Sequence, residues 1–284
     1  MSHSRIVPAT RRAPVVGLAL LSVVGVLVLA GAGQPPAGNR QPPAAPPGGT
    51  TTVTQATATP APPADPAAQL LADARASFAR VRDYMGTLVK QERVNGQLQP
   101  EQFIAMRVRQ QPFSVHLKWQ GPKQFEGQEA SYVAGKNNNK LRAKGAGLAG
   151  AVGFLSMDPT DPRAMRQSRH AITETGIGHL IDTAVRGYEV ERQLPASQVQ
   201  TRYADYAFQQ RPCTRMETTH LLNNGQFYCH RCVVYFDKQM KLPVRFEAYD
   251  WPAVGGPPGG DLLESYSYID LKFNVGLTDA AFLP

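Results

Sequence analysis

The sequence has few of the features that mark catalytic or nucleic-acid-binding proteins. It contains only three cysteines and two tryptophans, and its 30 lysines and arginines are scattered, with no run of five or more. Without a basic cluster or a nucleic-acid-binding module, the net charge of +8 gives no reason to expect DNA or RNA as a partner. The motifs G-x-S-x-G, H-E-x-x-H and S-x-x-K are also absent. We therefore predict a non-enzymatic protein with no cofactor.

The N-terminus lacks the apolar periodicity of a folded domain. Residues 1–13 contain three arginines and no acid, and an uncharged apolar run follows over 15–30. A basic region, an apolar region and then small residues are typical of a secretory signal peptide. The run also approaches the ~20 residues of a membrane span. We predict a signal peptide or N-terminal membrane anchor over 1–32, and an exported protein of the periplasm or cell envelope.

The next segment, residues 33–66, consists mainly of Pro, Ala, Gly, Thr and Gln. Such a composition buries too little apolar surface to offset the conformational entropy of the chain. It predicts an extended, disordered tether that carries the folded part away from a membrane or wall. The remaining residues, 67–284, are sufficient for one sizeable core. We predict that they form a single α+β domain.

Two stretches of the predicted domain have helical periodicity. The first begins after Asp65, which can cap a helix, and Pro66, which suits the first turn. The second has Thr173 or Thr175 as its candidate N-cap. Apolar residues three and four positions apart place one covered face on each helix. The first face consists of Leu71, Ala74, Phe78, Val81 and Met85, and the second of Ile177, Leu180, Ile181, Ala184, Val185 and Tyr188.

Between and after these helices the apolar period changes to two. Alternation over 104–109, 113–120 and 263–275 is typical of strands with one covered and one solvated face. Short polar segments at 95–96 and 223–225, and another at 136–139, are typical of hairpin connections. The sequence therefore predicts a curved, mostly antiparallel sheet, with the N-terminal helix and the second helix covering one side.

Three glycines, Gly145, Gly147 and Gly150, match the G-x-G-x-x-G spacing of dinucleotide-binding loops. Such a loop needs a strand before it, a long helix after it and a β-α-β unit around it, and the antiparallel pattern provides no such unit. We predict no nucleotide. We interpret the glycines as a hinge that lets the apolar stretch 148–157 fold over or into the sheet.

The motif Cys229-His230-Arg231-Cys232 lies in a stretch with strand composition. On an ideal strand, residues three apart point to opposite faces, which is poor geometry for a disulfide between Cys229 and Cys232. If residues 224–225 form a two-residue turn, Cys213 faces Phe236 rather than a cysteine. A bulge would allow Cys213 to pair with Cys229 or Cys232, so the pairing of the cysteines stays open.

Two histidine groups could carry chemistry. The same register places His220 opposite Cys229 and His230 beside Cys232 on the other face. The two pairs point apart, so we predict no metal site. His170 and Glu174 could form a His–carboxylate constellation. No nucleophile signature accompanies them, and we predict no catalytic residues. A convergent pair in a cleft would instead favour an enzyme, such as a hydrolase.

Several segments carry a family resemblance. A strand that ends at Asp237 and re-enters through Leu242-Pro243-Val244-Arg245 resembles the sheet of periplasmic lipoprotein carriers and lipoprotein-sorting proteins. Over about 67–284 the chain also resembles a family of secreted bacterial proteins of unknown function. That resemblance is carried by Pro112-Phe113-Ser114-Val115, Lys118-Trp119, Tyr132-Val133-Ala134-Gly135-Lys136, Ser168-Arg169-His170-Ala171-Ile172-Thr173-Glu174, Tyr249-Asp250-Trp251-Pro252 and Asn274-Val275-Gly276-Leu277-Thr278-Asp279.

The resemblance to the carriers implies a half-open β-barrel whose apolar concave face is covered by helices, with lipid chains bound between them. It therefore implies that this protein binds a lipid, a lipoprotein or another apolar ligand. This function predicts a cavity larger than an ordinary packing defect. Candidate ligand-binding residues are Phe113, Leu117, Trp119, Phe154, Leu155, Ile177, Leu180, Ile181 and Tyr188, each of which could instead belong to a solid core.

The alternative is a structural or adaptor module of the cell envelope that acts through its surface. This function predicts a solid core and an exposed aromatic patch of several hundred Å². The candidate residues of the patch are Tyr249, Trp251, Tyr266 and Tyr268. The identity of a ligand and the oligomeric state do not follow from the sequence under either hypothesis.

Overall fold

The computed structural model describes residues 65–283. The predicted export signal, and all but the end of the predicted tether, lie outside the described residues. The helices are α1 (Pro66–Phe78), α2 (Gly147–Gly150) and α3 (Ile177–Glu191). The strands are β1 (Asp83–Val94), β2 (Gln97–Leu98), β3 (Gln102–Arg109), β4 (Ser114–Gly121), β5 (Glu129–Val133), β6 (Leu141–Lys144), β7 (Leu155–Met157), β8 (Val199–Phe208), β9 (Arg211–His220), β10 (Arg231–Asp237), β11 (Pro243–Tyr249) and β12 (Leu262–Phe273).

The strands form one curved sheet in the order β7-β6-β5-β4-β3-β1-β12-β11-β10-β9-β8, and β2 pairs with β1 at a hairpin. Each pair of neighbouring strands is antiparallel. Strands β7 and β8 are the two edges of the described sheet, which is not closed into a barrel. The predicted α+β class and half-open antiparallel sheet are confirmed. No helix within residues 65–283 is long and apolar enough to cross a membrane.

Helix α1 begins as its sequence predicts. The carboxylate of Asp65 accepts hydrogen bonds from the backbone amides of Ala67, at 2.9 Å, and Ala68, at 3.4 Å. These bonds satisfy amides that have no partner within the helix. The prediction that the apolar stripe continues through Val81 and Met85 is wrong, because the helix ends at Phe78 and Met85 already belongs to β1.

Helix α3 has the predicted buried face, but its N-terminus differs from the prediction. The N-cap is Gly176, with φ of 110°, and neither Thr173 nor Thr175 caps the helix. The amide of Ile177 instead donates a hydrogen bond of 2.9 Å to the hydroxyl of Tyr84 in β1. A distant strand thus supplies the cap. The buried residues of α3 are Ile177, Leu180, Ile181 and Val185.

The connection between β9 and β10 is longer than predicted. Residues 221–230 contain no helix or strand, whereas the sequence suggested a two-residue turn near 224–225. The prediction that Cys213 faces Phe236 is therefore wrong, and Cys213 pairs with Asp237. The prediction that Cys229 lies on a strand is also wrong, because β10 begins at Arg231. All three cysteines lie in the described part of the chain and are unbridged.

Candidate functional site

A cavity of about 790 Å³ lies between one face of the sheet and a cover made by α3 and residues 158–176. Voids in a close-packed interior are rarely larger than one water molecule. Binding sites for small molecules and cofactors usually measure ≈ 300–1,000 Å³. The cavity therefore has the size of a ligand site and is far larger than a packing defect.

The pairing of the strands explains why the cavity floor is apolar. Leu88 in β1 pairs with Ile104 on one side and with Tyr268 on the other. Ile104 pairs in turn with Trp119 in β4. Residues directly opposite in neighbouring strands share a face, so this register makes a continuous row. Side chains of the floor include Leu88, Ile104, Leu117, Trp119, Ala130, Leu141, Phe246 and Tyr268.

Trp119 is buried on this floor and keeps its polar atom paired. Its indole N–H donates a hydrogen bond of 2.6 Å to Oε1 of Gln102, which is itself buried. A buried tryptophan usually needs such a partner, because its N–H group loses water on folding. With the N–H satisfied inside the sheet, the ring contributes apolar surface to the cavity.

The predicted ligand-binding residues divide into two groups. Leu117, Trp119, Leu155 and Leu180 line the cavity, so the structure brings together side chains from β4, β7 and α3. Leu155 is the most exposed of the four, since β7 is an edge strand. The other five predicted residues are outside the cavity lining.

Each of those five residues has another place in the fold. Ile177 and Ile181 are buried in the main core. Phe113 packs on Tyr132, with ring centroids 6.3 Å apart. The ring of Phe154 lies under Arg142 and Lys144, at 5.4 and 5.1 Å. Tyr188 donates a hydrogen bond of 2.6 Å to Asp65 and thereby ties α3 to the start of α1.

The four residues of the alternative aromatic patch do not share one exposed surface. Tyr266 and Tyr268 turn toward the cavity, and Tyr268 is buried. Tyr249 lies beneath the guanidinium of Arg231, whose carbon is 3.7 Å from the ring centroid. Trp251 is half-buried. The structure thus separates the residues on which the adaptor hypothesis depends.

The glycine segment lies at one edge of the cavity. Gly145 lines it, and Gly147, with φ of 54°, starts the short helix α2. A Cβ atom on Gly150 would be 2.7 Å from the carbonyl oxygen of Gly145, so these two positions need glycine for close backbone contact. Leu148 is 94% exposed. The segment forms a tight turn between β6 and β7, and its role as a hinge stays a prediction.

A buried charged cluster closes one end of the cavity. Glu92 in β1 and Glu264 in β12 pair directly across the sheet, and both are almost fully buried. Two like charges in this position would repel strongly without cationic partners. Nζ of Lys90 is 3.1 Å from the Glu92 carboxylate, and Nε2 of His170 is 2.9 Å from that of Glu264. Arg169 adds a contact of 3.2 Å to Glu264.

The charge state of His170 follows from these contacts. Burial disfavours its imidazolium, but hydrogen bonds from its two ring nitrogens to Glu174 and Glu264, both 2.9 Å, outweigh that effect. The pKa of His170 is raised to about 10. Burial would raise the pKa of Glu264, but the bond to His170 and nearby cations lower it. His170 is therefore protonated at neutral pH.

This protonation bears on the catalytic alternative. The structure does bring His170 and Glu174 together in a cleft, which is the arrangement that would favour an enzyme. A general base must be unprotonated near its working pH and must have a free nitrogen. Both nitrogens of His170 instead donate to carboxylates. The arrangement is suited to an ion-pair cluster rather than to proton abstraction at neutral pH.

Sequence reasoning missed Lys90, Glu92 and Glu264 as residues of the site. The alternation of side chains along a strand could have identified them. Lys90 and Glu92 are two and four residues after Leu88, and therefore share its inward face. Glu264 is likewise in phase with Tyr266 and Tyr268. Charged residues usually lie on the solvated face of a strand, whereas here a salt-bridge network buries them.

The family model for proteins of unknown function called DUF1571 matches residues 81–284. The chain belongs to this family, and the resemblance to a family of unknown function is confirmed. No curated protein matches the sequence.

Several solved structures are similar to the chain. An uncharacterized conserved protein from Thermus thermophilus is 11% identical, with 78% of this chain and 95% of that chain covered and a TM-score of 0.44. Lipoprotein LppX of Mycobacterium tuberculosis is 11% identical, with 74% and 98% covered and a TM-score of 0.42. A putative outer membrane lipoprotein-sorting protein domain from Vibrio parahaemolyticus is 13% identical, with 76% and 97% covered and a TM-score of 0.35.

Proposed function

We propose that the protein is a non-enzymatic protein of the cell envelope that binds a lipid, or the lipid part of a lipoprotein, in the cavity between the sheet and α3. The observation that carries this proposal is the 790 Å³ cavity with its apolar floor. A predicted export signal and tether would place this site beside a membrane. Catalysis is not part of the proposal, because His170 and Glu174 belong to an ion-pair cluster.

The apolar floor would supply most of the binding free energy. Apolar surface removed from water contributes roughly 25 cal/mol per Å², or about 0.8 kcal/mol for each buried methylene. An acyl chain laid along the row from Leu88 to Trp119 would bury many methylenes. We therefore expect affinity to depend on chain length, with a loss of about fifteen-fold when two buried methylenes are removed.

The charged cluster would define the polar end of the site. Lys90, Glu92, His170 and Glu264 lie at the cavity wall, next to the apolar floor. Ligand sites commonly combine apolar walls with a few polar groups that fix orientation. In this arrangement the chain of the ligand occupies the floor and its head group lies near the cluster.

The test is to fill the cavity by substitution. Ala130→Phe in β5 places a ring on the floor, since Ala130 lines the cavity between Leu117 and Ala143. Ala204→Phe in the exposed edge strand β8 is the matched control. We expect Ala130→Phe to weaken binding of an acyl-chain fluorophore by about ten-fold or more, or about 1.4 kcal/mol, while Ala204→Phe binds as the wild type does.

Native mass spectrometry of the protein purified from an envelope fraction, followed by lipid extraction, would identify the ligand. Two results would contradict the proposal. One is equal binding by Ala130→Phe and the wild type. The other is a wild-type protein that is always recovered without ligand and does not protect the fluorophore.

A further inference from the structure

The two cysteines of the C-x-x-C motif belong to one apolar cluster, although an ideal strand would turn them to opposite faces. Cys229 lies in the irregular connection 221–230, whereas Cys232 belongs to β10, so their side chains are not fixed to opposite faces. Cys229 forms a buried cluster with Ala248 and Leu263, and Cys232 packs against this cluster. Cys213 lies in a different cluster.

A histidine held by a carboxylate lies beside Cys229. His220, the last residue of β9, has Nδ1 2.7 Å from the carbonyl oxygen of Cys229. Nε2 of His220 is 3.1 Å from the carboxylate of Glu191, the last residue of α3. The ring of Phe227 stacks on His220, with centroids 3.8 Å apart. The imidazole is therefore held in one orientation.

These contacts make the two thiols chemically unequal. Burial opposes a charge on His220, but its bonds to Cys229 and Glu191 raise its pKa to about 9. The neighbouring Cys232 thiol and the charge of His220 lower the pKa of the Cys229 thiol, although burial and Glu264 oppose this. The neighbouring Cys229 sulfur, burial and the charge of Glu191 raise the pKa of the Cys232 thiol. Both directions favour Cys229 as the thiol that ionises first.

We propose that Cys229 and Cys232 form a thiol–disulfide exchange site. Cys229 attacks the disulfide bond of a peptide or small molecule, and Cys232 then resolves the mixed disulfide on Cys229. The Cys229 thiolate forms a bond to one donor sulfur and breaks the donor S–S bond, which releases the first donor thiolate. Cys232 then gives up its proton, attacks the Cys229 sulfur and releases the second donor thiolate. Two electrons pass to the donor, which leaves as two thiols, and the protein gains one disulfide.

Two other roles fit the geometry less well. A structural disulfide stabilises a fold mainly by closing a long loop, and this one would enclose only two residues. A zinc site would need free lone pairs on converging ligands, but both ring nitrogens of His220 are occupied. Within residues 65–283, no three His, Cys, Asp or Glu side chains are grouped to hold a metal ion.

Access to the pair depends on residues 221–230. Cys229 is only 4% exposed, so a donor disulfide must displace part of this connection. The connection has no regular structure, and Leu221, Leu222 and Tyr228 on it are exposed. Segments with few buried contacts open at low free energy. Exchange therefore requires local opening and leaves the sheet intact.

The first test uses the full chain carrying Cys213→Ser, equilibrated with reduced and oxidised glutathione and then alkylated under acid quench. We expect native protein to become lighter by two hydrogen atoms as Cys229 and Cys232 join. In this background, Cys232→Ser should trap a glutathione mixed disulfide on Cys229 about ten-fold faster than Cys229→Ser traps one on Cys232. Circular dichroism establishes that each variant is folded.

The second test measures the pH dependence of Cys229 alkylation in the Cys213→Ser chain. Half-maximal reactivity should fall well below the ~8.5 of a free thiol, and His220→Gln should shift it upward. His179→Gln on α3, away from the cysteines, is the matched control. The proposal is overturned by a native pair that stays reduced while the unfolded chain oxidises, by equal trapping at the two cysteines, or by tight binding of one zinc ion that the Cys229→Ser change abolishes.

Discussion

The buried carboxylates of Glu92 and Glu264 determine which charged residues the site needs as partners. They lie opposite each other on β1 and β12 and are nearly excluded from water. Removing one partner from a buried ionic group leaves the other charge uncompensated, which is more destabilising than the loss of an exposed pair. The cationic partners His170 and Arg169 come from the connection before α3, so the cluster also fastens the cavity cover to the sheet.

His170→Gln should destabilise the protein in a pH-dependent way. The pKa of His170 is about 10 in the folded protein and ~6.5 when unfolded, so the imidazolium stabilises the fold fully below pH ~6.5. That contribution is lost as the pH rises to about 10. Because the ring is partly exposed and Arg169 remains, we expect a loss of about 1–2 kcal/mol near pH 6.

Urea unfolding between pH 5.5 and 10 would measure this effect. The difference between wild type and His170→Gln should shrink steadily above pH ~6.5. His179→Gln is the control, because burial lowers the pKa of His179 and its charge adds no comparable stability. A difference that is constant over this pH range would show that the imidazolium does not stabilise the fold.

At the scale of elements, the start of α3 depends on tertiary contact. Gly176 has a positive φ, and a Cβ atom there would lie 2.3 Å from the hydroxyl of Tyr84. That hydroxyl caps the helix through the amide of Ile177. One residue thus allows the backbone to turn and also leaves room for the cap.

Gly176→Ala should therefore destabilise the fold more than the same change at another positive-φ glycine. Gly96 in the β1–β2 hairpin also has a positive φ, of 80°, but it is less extreme than the 110° of Gly176, and nothing lies within 4 Å of its Cβ position. We expect a loss of about 1 kcal/mol for Gly96→Ala and about 2–4 kcal/mol for Gly176→Ala. Equal losses in chemical denaturation would contradict a steric role for Tyr84.

The helices and strands were largely predictable from the sequence, but the helix caps and the connections between strands were not. Periods of two and of 3.6 are local properties, and they identified β3, β4, β12 and the buried face of α3. The cap of α3 comes from Tyr84, 93 residues before Ile177, so no local pattern indicated it. The β9–β10 register depends on the length of the connection 221–230, and a shift of one residue changed the partner of Cys213.

At the scale of the whole molecule, the predicted class of fold and the resemblance to an uncharacterised family are confirmed by the antiparallel sheet and the family match. The apolar part of the candidate site was partly predictable, because Leu117, Trp119 and Leu180 belong to clear periodic patterns. Its charged end was not, because burial of Lys90 and Glu92 becomes favourable only when residues 168–170 fold against them. Nor does periodicity distinguish a cavity from a solid core, since both need an apolar inner face.

The cavity beneath α3 has a mechanical consequence. Unfolding removes internal voids, so pressure favours the unfolded chain in proportion to the void that disappears. The cavity is partly open, so only the part of its 790 Å³ from which the apolar floor excludes water contributes, and we expect a volume change within the usual decrease of roughly 20 to 100 mL/mol. Fluorescence under hydrostatic pressure should show that Ala130→Phe, or an acyl ligand, makes this decrease smaller. An unchanged value would mean that the space is already filled by water, and the ligand-free protein would then be as incompressible as one with a solid core.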